Sequence, residues 1–149
     1  MCATSLRAPV ALGWGEPMQT SMYDRLGGEP AVRAIARDHV ARMTSDLMIG
    51  FFFARVDAQR LAEREYQHAA RFLGADVAYE GRPLDAAHAP HRIMGGHFAR
   101  RKELLRQVLV AHAVPDDIRE AWLAHTDSLR AQITPDVGSE CAGSARERE

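Results

Sequence analysis

The sequence predicts an all-α domain of five or six helices. Between 21 and 135, apolar residues recur with the period of about 3.6 expected of helices, and no segment sustains the two-residue alternation of a strand. Gly, Pro and Asp punctuate these periodic stretches at helix length. With 149 residues, 46% of them hydrophobic, the chain fits one globular domain with a core of ordinary size.

A short helix over 21–26 ends at Gly27-Gly28, a C-terminal glycine signal. Pro30, whose φ is already helical, suits the first turn of a helix over 30–45. Leu47 to Phe53 is a dense apolar corner. A helix over 58–73 stops at Gly74, and a loop over 75–83 carrying Tyr79, Gly81 and Pro83 leads to His88. Two long helices follow, over 94–112 and 115–133, parted at Val114-Pro115. Asp116 and Asp117 complement the helix dipole in the first turn after Pro115. No internal repeat is present.

The folded unit is expected at 21–135. The extension 1–20 is a weak apolar stretch broken by Pro9, Gly13 and Gly15, without the pattern of a secretion signal. Both it and the small, polar tail 136–149 read as disordered. A cytoplasmic location is the default. Nineteen basic residues against 20 acidic ones, net charge -1, give no reason to expect nucleic acid or an anionic membrane as partner. No apolar run approaches the roughly 20 residues that span a bilayer. Cys2 and Cys141, in the two tails, form neither a disulfide framework nor a metal site.

Several polar residues fall on stripes that are otherwise apolar. In 30–45 the inward series is Val32, Ile35, Ala36, His39, Val40 and Met43. In 58–73 it is Leu61, Glu65, His68 and Phe72, and in 94–112 it is Phe98, Arg101, Leu105, Val108 and Leu109, with His112 one turn further. A buried charge is costly unless it is paired or faces a cavity or ligand. Two readings follow for His39, Glu65, His68 and Arg101. They sit at the edges of their stripes and reach water, or together they line a cavity.

The chain resembles the truncated haemoglobins, the small haem-binding globins. The resemblance rests on Tyr23-Asp24-Arg25-Leu26-Gly27-Gly28, Phe51-Phe52-Phe53, and Leu73-Gly74 with Tyr79 and Gly81. It continues through His88-Ala89-Pro90, Arg92-Ile93, His97-Phe98 and Val114-Pro115. It implies a two-over-two helical sandwich enclosing one haem b. His88 matches the proximal iron ligand, and Phe53 the phenylalanine that packs on the haem. Arg92 looks like the basic partner of a propionate, and Tyr79 and Leu84 fall where the chain touches the haem edge. Phe98 lies on the inward face beside them. His91 and His97 read as surface or capping residues.

The departures from the family lie on the distal side. Val40 stands where a tyrosine commonly donates to bound dioxygen, and it has no such donor. Leu61 holds the distal helix position that is histidine in many larger globins. Glu65 and Arg101 align onto the same pocket, where an ion pair would let Arg101 supply the missing donor. His39 and His68 are expected behind the pocket.

The resemblance implies reversible binding of a diatomic gas: dioxygen, nitric oxide or carbon monoxide. Two alternatives stay open. One is a haem enzyme, a nitric oxide dioxygenase or peroxidase-like, served by a separate reductase. The other is a helical regulatory module that has lost haem. Without C-x-x-C-H, covalent c-type attachment is not expected.

Overall fold

The computed structural model describes residues 19–137. The expected extension 1–20 and tail 136–149 fall almost wholly outside that range, as do Cys2 and Cys141. Seven α-helices and one 3-10 turn make up the described chain, and among the described residues there is no strand. The helices are α1 (Met22–Arg25), α2 (Gly28–Ser45), α3 (Ala58–Leu73), α4 (Leu84–His88), α5 (Gly95–Ala111), α6 (Asp116–Ser128) and α7 (Arg130–Ile133). The 3-10 turn, Gly50–Phe53, occupies the apolar corner.

Packing sorts these into two pairs. Helix α2 lies along α3, α5 lies along α6, and α2 also meets α5, which gives the two-over-two sandwich. The main core is shared among the four helices and contains Val32, Ile35, Ala70, Leu73, Val108, Leu109 and Ile118. A second cluster, Val40, Met43, Ile49 and Leu104, closes the end beside the phenylalanine corner. Fully burying a side chain such as Met43 or Leu109, both 0% exposed, stabilises by about 1.5–3 kcal/mol. No helix among the described residues is long and apolar enough to cross a membrane.

Local signals explain the helix ends. The Asp57 carboxylate caps α3 by accepting from the Arg60 amide at 2.9 Å. Gly74 ends the same helix at φ 102°, where its N–H turns back to the Ala70 and Arg71 carbonyls. Gly81 serves differently. A Cβ there would lie 2.2 Å from the Tyr79 ring, so only glycine lets that ring fold back over the loop.

Three elements depart from the sequence expectation. The stretch before His88 is not wholly irregular: Leu84–His88 forms α4 and sets the imidazole on its last residue. The long helix expected over 115–133 breaks at Leu129, whose N–H bonds the Thr126 carbonyl at 3.1 Å in a 3-10 turn. Thr126 and Ser128 hydroxyls donate to the Trp122 and His125 carbonyls at 3.0 and 2.6 Å, side-chain bonds that bend helices. The resulting α7 packs against α4. The third departure is the inward face of α3. Tyr66, Gln67, Ala69, Ala70 and Leu73 are its buried residues. Leu61, Glu65, His68 and Phe72 are only partly buried, and the first three line a cavity.

Candidate functional site

The cavity lies between the two helix pairs and measures about 590 Å³, within the range of roughly 300–1,000 Å³ common for cofactor and ligand sites. Its apolar walls include Phe53, Leu61, Leu84, Ile93, Phe98 and Leu105. Tyr79 closes one side, its ring edge-on to His68 at 5.8 Å. Beyond His68, the His125 ring stacks on His68 at 5.7 Å and on Phe72 at 4.2 Å.

His88 lines this cavity from the end of α4. Its Nδ1 lies 2.6 Å from the Leu84 carbonyl oxygen. A carbonyl only accepts, so Nδ1 carries the proton and donates. Burial, partly offset by that hydrogen bond, lowers the pKa of the ring below the ordinary histidine value, so it is neutral at pH 7. Nε2 then presents a lone pair with no hydrogen-bond partner among the described residues. This is the state a metal-ligating histidine needs, with the other nitrogen orienting the ring.

The stretch that follows α7 braces the entry to α5. The Thr134 hydroxyl donates to the Ile93 carbonyl at 2.5 Å, and the Asp136 carboxylate accepts from the Gly95 amide at 2.9 Å.

The cavity lining also includes a polar group from three helices. Arg101 Nη2 donates to both Glu65 oxygens at 2.8 Å. The two side chains are 24% and 25% exposed while lining the cavity. Burial works to raise the pKa of Glu65, but the Arg101 guanidinium, followed by His39, outweighs it and holds the carboxyl at about 2. His39 is 2% exposed. Burial and then the Arg101 charge lower its pKa to about 4, so it too is neutral at pH 7.

The structure brings Phe53, Leu61, Glu65, Tyr79, Leu84, His88, Phe98 and Arg101 to one cavity. It does not bring Val40 or Arg92 there. Val40, 3% exposed, packs with Met43, Ile49 and Leu104, and its neighbour His39 takes the cavity side of α2. The expectation for these two adjacent positions is therefore reversed. Likewise His68 lines the cavity instead of lying behind it.

Arg92 is exposed, whereas Arg60, Arg64 and Arg82 stand among the lining residues. Arg64 is committed to Glu80 at 3.1 Å. The Arg60 and Arg82 side chains have no ion pair with any described residue. His97 accepts from the Met94 amide at 3.0 Å and so caps α5, while also edging the cavity. Sequence reading missed Arg60, Arg82 and His125. His125 had a signal, since Trp122, His125, Thr126 and Leu129 follow helical spacing onto one face.

The donor set fits a flat, largely apolar, iron-centred group. It offers one neutral imidazole with a bare nitrogen, aromatic and aliphatic walls, and unpaired cations among the lining residues. Two stacked helix pairs around such a cavity are the architecture of the truncated haemoglobins. The chain belongs to the bacterial-like globin family, whose model matches residues 21–135.

Among curated relatives, the group 1 truncated hemoglobin GlbN of Mycolicibacterium paratuberculosis is 29% identical over 113 residues. That match covers 76% of this chain and 83% of the relative. Among solved structures, Chlamydomonas reinhardtii THB1 is 28% identical with a TM-score of 0.67, covering 79% of this chain and 98% of that one. The truncated hemoglobin of Tetrahymena pyriformis in its Fe(III) form shares the fold, with a TM-score of 0.70 at 22% identity over 77% of this chain and 98% of that one. Membership of the family makes this a haem-binding, gas-binding globin.

Proposed function

We propose that the cavity holds one haem b with His88 Nε2 on the iron, and that the protein reversibly binds a diatomic gas on the side of Glu65 and Arg101. The bound haem would supply an iron with an open coordination position for dioxygen, nitric oxide or carbon monoxide. The observation that carries this reading is the Leu84–His88 hydrogen bond, which places the proton on Nδ1 and leaves Nε2 without a hydrogen-bond partner among the described residues, on a side chain that lines the cavity.

His88 orients the iron, and Phe53, Leu61, Leu84 and Phe98 exclude water. Tyr79 flanks the haem edge. Arg60 and Arg82 are better placed than Arg92 to meet the haem carboxylates, because they line the cavity and carry unpaired charge. On the gas side Leu61 offers no donor. Arg101 does, and Glu65 fixes it in place. His39, Glu65 and Arg101 also favour a second reading, peroxidase-like chemistry in which an external reductant supplies electrons.

The ferric and ferrous visible spectra test the first reading, together with the carbon monoxide form. A Soret band that is lost in His88→Ala and restored by added imidazole is the expected result. Arg101→Leu should raise the dioxygen off-rate about tenfold or more, since a hydrogen bond involving a charged group contributes about 1.5–3 kcal/mol. Absence of any Soret band after haem addition would overturn the haem reading. An unchanged off-rate would remove Arg101 from the gas site.

A further inference from the structure

Helix α4, which ends on His88, is five residues long, and an isolated helix of that length is not stable in water. The Leu84–His88 hydrogen bond lies within α4, so it fixes the ring on the helix but not the helix in the fold. That second task falls to the C-terminal stretch. Helix α7 is the chief helical neighbour of α4, and the break at Leu129 is what turns α7 towards it. An unbroken helix would carry these residues straight on.

The residues after α7 fasten the loop that leads from His88 to α5. Thr134 is 4% exposed, and its Oγ1 donates to the Ile93 carbonyl at 2.5 Å while accepting from the Asp136 N–H at 3.1 Å. That bend brings the Asp136 carboxylate to 2.9 Å from the Gly95 N–H, 41 residues away in sequence. Gly95 is the first residue of α5, where an N–H lacks a helical partner and negative charge is favoured. Pro135 restricts the residue before it to extended backbone, which Thr134 adopts at φ -138° and ψ 136°, so the bend is largely preset. Arg130 lies over the Phe98 ring at 5.3 Å and donates to the Asp136 carbonyl at 3.1 Å.

We propose that the stretch 129–136 is a strap that positions the iron ligand. It fixes where α4 holds His88, and so sets the strength of the iron–imidazole bond and the gas affinity independently of Arg101. Thr134 and Asp136 are positioning residues: neither lines the cavity, whereas Leu129 and Ile133 of the same strap do, as does Ile93, to which the strap is tied. The proposal rests on the haem reading for His88. Its energetic basis is that a five-residue helix has too few contacts of its own to resist displacement, so each bond made by the strap counts.

The test reads the iron–histidine stretching band of the ferrous holoprotein by resonance Raman, and haem loss to excess apomyoglobin. Thr134→Val removes the hydroxyl at nearly constant volume, Thr134→Ser keeps it, and Asp136→Ala removes the carboxylate. Ile118→Val, in the main core and away from the cavity, controls for lost stability. We expect Thr134→Val and Asp136→Ala to shift the band and to speed haem loss about fivefold or more, the equivalent of one hydrogen bond. Thr134→Ser and Ile118→Val should keep the wild-type band. In haem-free protein, deuterium exchange at the Ala87 and Ala89 amides of α4 and its cap should quicken about fivefold in the two strap variants. An unmoved band in Asp136→Ala or in a folded Thr134→Val would overturn the proposal, as would an equal shift in Ile118→Val or Thr134→Ser. If Thr134→Val does not fold, Asp136→Ala decides. A wild-type preparation that takes up no haem would overturn the haem reading instead, and exchange at Ala87 and Ala89 then decides whether the strap orders α4.

Discussion

Replacing Arg101 by leucine strands a carboxylate, and the structure sets the size of the effect. The pair holds Glu65 at about 2 against an ordinary 4.5. That interval, at about 1.4 kcal/mol per pH unit, favours the ionised folded form by about 3 kcal/mol. Breaking a fully buried pair costs about 3–5 kcal/mol, and these side chains, 25% and 24% exposed, fall below that limit. We therefore expect Arg101→Leu to lose roughly 2–3 kcal/mol at pH 7, measured by urea unfolding.

The pH dependence identifies the cause. In the wild type the folded pKa of Glu65 lies below the unfolded one. Its stabilisation is therefore complete above about 4.5 and is lost only as pH falls from there towards 2. In the variant the Arg101 attraction is gone and burial, which raises the folded pKa, is opposed only by His39 and His68, so the acid protonates more readily and the penalty relaxes as pH falls. The gap between the two proteins should be widest at pH 7 and narrow on approach to pH 4. Glu65→Gln in the Arg101→Leu background should recover most of the loss. A variant as stable as wild type at pH 7, or a gap that does not change with pH, would refute the reasoning.

Two further outcomes follow from the same geometry. Gly50→Ala should lower stability by about 1–3 kcal/mol in thermal or urea unfolding, because a Cβ there would lie 2.8 Å from the Thr44 carbonyl oxygen, a backbone atom with little freedom to move. His39, held neutral with a pKa near 4 against 6.5, binds fewer protons folded than unfolded. Its contribution is therefore complete above pH 6.5 and falls by roughly 3 kcal/mol as pH drops to 4, a slope that His39→Gln should flatten.

Much of the frame was legible because its signals are local. The Gly27-Gly28 stop, Pro30 in the first turn of α2, the Gly74 terminus and the Pro115-Asp116-Asp117 start all lie at helix boundaries. The six residues expected inward on α2 are the six it buries. Helix α3 was harder to read, because small Ala69 and Ala70 are among the residues it buries while the larger Leu61, Glu65 and His68 are only partly buried and line the cavity. Small residues carry little periodic signal. The break at Leu129 was also hidden, since it depends on hydroxyl-to-carbonyl bonds that an unbroken helical pattern does not announce.

The sequence by itself determined an all-helical chain, the inward arcs of α2 and α5, and His88 as the imidazole between loop and helix. Tertiary structure decided which side of each inward arc meets a neighbour and which meets the cavity. It turned His39 rather than Val40 to the site and left Arg92 outside while Arg60 and Arg82 line the cavity. It also joined Arg101 to Glu65 through a single nitrogen, keeping two other donor groups free. Adjacent helical residues differ by about 100° in direction, which periodicity resolves. The direction from which α3, α5 and α6 approach is set only when the helices dock.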